Sequence, residues 1–202
     1  MSRWLRSDRP DGTEYDRKFI EAEQAGRDMH GEAAFVASVA PPGGSVFDAG
    51  CGTGRVAIEL ASRGFDVVGA DLDPGMLAAA RAKAPQLVWH EADLAGADMG
   101  AALGADREHL FDVVVAAGNV MIFLEPGTEA AVVANLAGLL APGGLLVAGF
   151  QLDGRLPIDA YDDHCRRAGL APAERWATWD RQQWQDGGPY AVSVHRLPER
   201  PE

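Results

Sequence analysis

One stretch of the chain has the residue types and spacing to hold a ligand. Asp48-Ala49-Gly50-Cys51-Gly52-Thr53-Gly54 sets a carboxylate ahead of three glycines at alternate positions. Val46 and Phe47 lead into it and a helix-like run starts at Arg55. This is a strand that stops, a loop almost without side chains, and a helix N-terminus aimed at whatever lies above. Backbone N–H groups are free at such a crossing, and glycine lets a ligand approach them closely. The dinucleotide fingerprint G-x-G-x-x-G asks for a third glycine where Arg55 stands; here that glycine falls one residue early, at Gly54. The Gly-Lys-Ser/Thr spacing of a phosphate-binding loop is absent. A carboxylate at Asp48 would repel a pyrophosphate but would favour a ligand carrying an ammonium and a sulfonium.

The elements that must position this loop follow from hydrophobic periodicity and from Gly/Pro punctuation. Helices are expected over about 14–25 and from Gly31 to Ala40, the latter stopped by Pro41-Pro42-Gly43-Gly44. Strands at 45–48, Phe65–Ala70, Leu87–His90, Phe111–Ala116 and 145–150 then alternate with helices. Those helices are Arg55–Arg63, one opened by Asp73 and Pro74, and one from Thr128 to Leu140. Asp73 can cap its helix and proline suits the first turn. A further helix opens at Pro157 and stops at Gly169. Two closing strands, about 173–179 and 190–196, flank the turn signal Asp186-Gly187-Gly188-Pro189. The segment from Ala95 to His109 is ambiguous, with a short helix near Gly100–Leu103, and residues 1–13 read as a mobile start. The fold class is α/β: a doubly wound, mostly parallel sheet with helices on both faces and an antiparallel C-terminal hairpin. Residues 1–43 read as an N-terminal helical lid and 44–202 as a single core domain.

The glycine stretch resembles the first motif of the class I (Rossmann-like, seven-strand) S-adenosylmethionine-dependent methyltransferases, and later positions are similar to the family in turn. Val67-Val68-Gly69-Ala70-Asp71-Leu72-Asp73-Pro74-Gly75-Met76 looks like its second motif. The resemblance implies a seven-stranded sheet and S-adenosyl-L-methionine as cofactor, with Asp48, Ala49, Gly50, Cys51, Gly52 and Gly54 among the residues that bind it. Asp71 would accept from both ribose hydroxyls in a charge-assisted pair, and Leu72 and Met76 would pack on the adenine. Glu91-Ala92-Asp93-Leu94 looks like the adenine-recognition motif: Asp93 would accept from the exocyclic amine and the Leu94 N–H would meet a ring nitrogen. Phe111 to Asn119 resembles the fourth strand and its exit loop, placing Ala116 and Gly118 beside the methionyl end. Leu139-Leu140-Ala141-Pro142-Gly143-Gly144 resembles the structural motif before the fifth strand. The resemblance covers residues 44–150 well and the termini by architecture.

A sulfonium methyl is already activated, so an enzyme of this kind chiefly aligns the acceptor and excludes water; the sequence presents no catalytic dyad. Asn119 lacks the following prolines of amide- and amine-methylating families and reads equally as a loop asparagine bonding backbone. His30 and Glu32, before and within an N-terminal helix, are candidates for cofactor or substrate contact. Tyr15 and Phe19 read as an aromatic lid or as ordinary packing. Cys165 is assigned to the core and His164 to the surface. Trp176, Trp179 and Trp184 are assigned to hairpin packing or a homodimer contact, with a wall for an aromatic acceptor as the alternative.

Eighteen Lys plus Arg against thirty Asp plus Glu, a formal charge of -12, argues against a nucleic-acid surface. Two cysteines form neither a disulfide framework nor a metal-ligand set. No run reaches the roughly 18 apolar residues of a membrane span, and no secretory leader is visible, which reads as a cytoplasmic protein. With no large insertion between strands, the acceptor site suits a small molecule. The expected activity is methyl transfer to such a molecule. The rivals are a non-catalytic cofactor-binding module and a nicotinamide-dependent oxidoreductase.

Overall fold

The computed structural model describes residues 2–6, 11–96 and 111–199. Five strands run parallel: β1 (Ser45–Ala49), β2 (Asp66–Asp71), β3 (Val88–Glu91), β4 (Phe111–Ala116) and β5 (Leu140–Gln151). β6 (Ala171–Trp176) and β7 (Tyr190–Arg196) close the sheet as an antiparallel pair, in the order β3-β2-β1-β4-β5-β7-β6. The order reverses between β1 and β4, so the loops leaving these two strands diverge and open a crevice at their carboxyl ends.

Alternation along the buried strands divides the core between the two faces. On one face Val46, Val67, Val113, Val115, Val147 and Val194 meet α3 (Gly31–Val39), α4 (Arg55–Ser62) and α5 (Pro74–Lys83). On the other, Phe47, Val68, Val114, Leu146 and Phe150 meet the turn α6 (Val120–Phe123) and helices α7 (Glu129–Gly138) and α8 (Ile158–Arg167). Phe111–Ala116 is buried along nearly its whole length, as a central parallel strand must be. Two elements precede this core. The short turn α1 (Arg3–Arg6) and the helix α2 (Gly12–Gln24) lie across the crevice end of the sheet.

Three expectations need correction. The start of the chain docks: Arg3 donates to the Ile122 carbonyl (3.1 Å) and Trp4 Nε1 to Asp73 Oδ2 (3.1 Å). The fifth strand begins at Leu140, because Phe111 pairs with Leu140 before Pro142-Gly143-Gly144 shifts the register to Val113–Leu145. Val120–Phe123, for which no element was expected, makes a helical turn. The short helix expected near Gly100–Leu103 lies outside the described residues.

Candidate functional site

Each glycine of the loop serves a different contact. All three have positive φ: 74° at Gly50, 55° at Gly52 and 83° at Gly54. A Cβ on Gly50 would lie 2.5 Å from Val120 Cγ2, so the loops leaving β1 and β4 touch only because that position is bare. A Cβ on Gly54 would lie 2.6 Å from Trp89 Cη2; the indole of β3 packs there and over Gly69. Gly52 and Gly118 meet nothing within 4 Å, and both line a cavity of about 250 Å³ above the crevice.

Asp71, the last residue of β2, stands at the cavity wall with both oxygens aligned by backbone. Oδ2 accepts from Gly52 N–H and Oδ1 from Asp73 N–H, each at 2.8 Å. Burial raises its pKa, and these N–H donors pull it back down. Asp73 then caps α5 through Oδ1, which accepts from Gly75 N–H at 2.9 Å. Leu72 and Met76 follow on the wall. Across from them are Asp93 and Leu94, where Asp93 Oδ1 accepts from Ala95 N–H at 2.9 Å in an aspartate turn.

Of the residues singled out in the sequence, Gly50, Gly52, Asp71, Leu72, Met76, Asp93, Leu94 and Gly118 therefore share one cavity. Asp48, Ala49, Cys51, Gly54 and Ala116 do not line it. Asp48 is 2% exposed beneath the loop, on the α4 face, where Oδ2 accepts from Ala57 N–H at 3.1 Å. Burial pushes its pKa up to about 7, against the pull of Arg55 and the Ala57 N–H. Cys51 is buried toward Trp89 and Gly69, and burial drives its thiol pKa well up. Ala49 and Ala116 are buried in the sheet.

Two side chains within the motif bind the loop to the N-terminal helices. Thr53 Oγ1 donates to Asp16 Oδ1 of α2 (2.5 Å), whose other oxygen accepts from Lys83 of α5 (2.6 Å). Arg55, the first residue of α4, grips Glu32 of α3 through two nitrogens (2.6 and 3.0 Å). It also donates to the Met29 carbonyl and lies over the Phe19 ring at 4.6 Å. Glu32 is thus engaged with Arg55, and His30 lies between Glu23 and Glu59 (3.7 and 3.5 Å). Neither lines the cavity. Asn119 takes a left-handed φ of 68° and its Oδ1 accepts from Gln151 N–H (2.8 Å), tying the β4 exit loop to β5. Trp179 packs edge-on to Phe35 and donates to Tyr190 Oη (3.1 Å), and Trp184 lies over Arg175; these are contacts of the hairpin with α3 and within itself.

The remaining wall comes from Tyr15, read in the sequence as an aromatic lid or ordinary packing, and from residues that spacing did not reveal. Trp4, Tyr15, Val120, Phe123 and Leu124 close the cavity from above. Trp4 meets Phe123 edge-on (5.5 Å between ring centres) and Tyr15 likewise (6.2 Å). Tyr15 also leans on Phe19 (5.0 Å). Trp4 sits in a charged, Arg-rich segment with no periodicity, so no local pattern marks it.

A glycine crossing at the reversal of strand order, a carboxylate ending β2 and a second one after β3 define a nucleoside-binding α/β protein. The reversed β7 beside β5 narrows the class further. A methyltransferase-domain family model matches residues 46–144. A TehB-like SAM-dependent methyltransferase from Corynebacterium glutamicum superposes with a TM-score of 0.82 at 31% identity, over 94% of this chain and 98% of that one. The chain belongs to the class I S-adenosylmethionine-dependent methyltransferase family. The magnesium-protoporphyrin O-methyltransferase of Rhodobacter capsulatus is 35% identical over 86 residues, 40% of this chain and 34% of that one. The matched stretches span about a third or less of the curated relatives. The Synechocystis magnesium protoporphyrin IX methyltransferase, solved with bound SAM, shares the fold at a TM-score of 0.61 and 22% identity, over 81% of this chain and 74% of that one.

The cavity suits the family's cofactor on its own chemistry. Of the three carboxylates on its wall, Asp71 and Asp93 are suited to a ribose diol and an exocyclic amine, and side-chain-free Gly52 and Gly118 leave room beside the loop. Among the described residues there is no cluster able to hold a metal ion and no helix long and apolar enough to cross a membrane.

Proposed function

We propose that this protein transfers a methyl group from S-adenosyl-L-methionine to a small-molecule acceptor. When bound, the cofactor supplies an electrophilic methyl on a sulfonium. The chain's own work is to hold, orient and shield. Asp71 would receive the ribose hydroxyls on oxygens already aligned by Gly52 and Asp73. Asp93 and the Leu94 backbone would receive the adenine edge, with Leu72 and Met76 packed on its face. Gly50, Gly52 and Gly118 would flank the methionyl part, and Asp48, buried below, would supply negative potential rather than contact. Trp4, Tyr15 and Phe123 would exclude water from above.

The observation that carries this reading is the convergence of Asp71, Asp93 and the bare loop on one cavity. A small acceptor accords with the methyltransferases of small molecules among the relatives. The test has two arms. S-adenosylhomocysteine should raise the melting temperature where NAD(H) and NADP(H) do not, and methyl-labelled cofactor should label a member of a small-molecule panel. Stabilisation without transfer to any acceptor would favour a non-catalytic binding module; stabilisation by a nicotinamide nucleotide alone would overturn the reading.

A further inference from the structure

The seat of the Trp4 indole has the features of a ligand site. Its ring is held edge-on by Phe123 and Tyr15 and its N–H is directed at Asp73 Oδ2. Asp73 is 4% exposed, so this acceptor is dry and fixed by its second duty as the α5 cap. Nothing in the helical fold of α1 needs that contact: the turn is four residues long and buries none of them fully. The segment is instead held from outside, by Arg3 on the Ile122 carbonyl and by Arg6 beside Glu125 (3.4 Å). With Trp4 in place its ring lines one cavity of about 250 Å³ together with Asp71, Asp93 and Gly118.

We infer that the Trp4 indole occupies an acceptor subsite formed by Tyr15, Phe123 and Asp73, and that the acceptor is a planar aromatic molecule with an N–H or O–H donor that takes its place. An aromatic guest recovers the edge-to-face contacts and the hydrogen bond to Asp73 that Trp4 surrenders. A sugar or aliphatic amine recovers at most the hydrogen bond and leaves two rings uncovered. The segment Ser2–Arg6 is thus a built-in competitor whose displacement admits the acceptor and excludes it otherwise. The inference rests on the methyltransferase reading for the cofactor beneath.

Indole serves as the probe, titrated by calorimetry into protein saturated with S-adenosylhomocysteine. Trp4→Ala should bind indole at least tenfold more tightly than the unaltered protein, which must first expel its own ring. Trp4→Phe, which keeps a ring but loses the bond to Asp73, should fall between them. Adding Phe123→Ala to Trp4→Ala should abolish the gain. Equal indole affinity in all three forms, or a gain that survives Phe123→Ala, overturns the subsite. Should Trp4→Ala fail to fold, Trp4→Phe decides alone: no tightening over the unaltered protein refutes the inference. Failure of S-adenosylhomocysteine to bind, measured before indole is added, would refute the methyltransferase reading instead, so the two outcomes are separate.

Discussion

Asp48→Asn should make the free protein more stable and the loaded protein less readily formed, with opposite consequences along the pH axis. The carboxyl is buried and its pKa rises from 3.8 to about 7 in the folded chain. A raised folded pKa means that stability is fully present below the unfolded value and is lost as pH rises through the folded one. About three pKa steps at roughly 1.4 kcal/mol each give a penalty on the order of 4 kcal/mol for the ionised group above pH 7. Asparagine keeps the shape and an oxygen for the Ala57 N–H but carries no charge. In thermal unfolding at pH 8.5 the variant should gain up to about 4 kcal/mol, a rise of up to roughly 8–16 °C for a chain of this size. The gain should shrink to about 2 kcal/mol at pH 5 and vanish below about pH 4.

Cofactor affinity should move the other way. A cationic ligand favours ionised Asp48, so binding to the unaltered protein expels its proton. From a free pKa of about 7, the apparent affinity should fall roughly thirtyfold between pH 8.5 and pH 5.5, as an upper limit set by complete linkage. Calorimetry in buffers of different ionisation enthalpy would register the released proton. In Asp48→Asn the step near pH 7 should disappear and the affinity at pH 8.5 should be weaker. A step that persists in the variant, or a variant no more stable at pH 8.5, would refute the buried-charge argument.

Other perturbations are simpler. Asp71→Ala should weaken cofactor binding by about 1.5–3 kcal/mol, the range for hydrogen bonds to a charged group; unchanged affinity by calorimetry would remove the ribose assignment. Gly50→Ala places a Cβ 2.5 Å from Val120 Cγ2 at a φ of 74°, so it should destabilise by about 1–3 kcal/mol in denaturant titration. Gly52→Ala has no such neighbour and should cost less stability, while its methyl projects toward the cavity and reduces cofactor affinity. Arg55→Met leaves Glu32 half-buried without its guanidinium and should cost about 1–3 kcal/mol. Amide exchange in α2 and α3 should quicken before that in the sheet.

The sheet was legible because its signals are local and strong. Phe111–Ala116 is apolar throughout, the glycine loop has no competing reading as helix or strand, and Asp73-Pro74 announces α5 by capping chemistry. The cavity residues on these elements followed, since Asp71, Asp93 and Gly118 each sit where a strand ends. What stayed hidden depends on contacts distant in sequence. Trp4 reaches Asp73 across 69 residues and Arg3 reaches Ile122 across 119, and neither has a neighbour in the chain that hints at it. The extension of β5 to Leu140 depends on pairing with Phe111, against a helical pattern that runs to the same residue. Asp48 was legible as a charge but not as a buried one, because burial is set by α4 folding back over β1.

The same motif that bares the loop to a ligand also anchors what lies over it. Thr53 and Arg55 stand between and after the glycines, at positions the glycine spacing leaves open. Yet they hold α2 and α3 through Asp16 and Glu32. Gly12, at the start of α2, permits that approach: a Cβ there would come within 2.9 Å of Ala79 Cβ and 3.5 Å of Thr53 Cγ2. The helices are therefore fixed to the glycine loop by a salt bridge, a hydroxyl bond and close packing, whereas the contacts seen for Ser2–Arg6 among the described residues include Arg3 on the Ile122 carbonyl, Arg6 beside Glu125 and the Trp4 indole on Asp73. When a half-buried bidentate pair and a few peripheral bonds restrain neighbouring pieces of one roof, the peripheral piece opens first. On the inference drawn above, entry to the cavity falls to the five residues around Trp4, with α2 and α3 as the wall beside them.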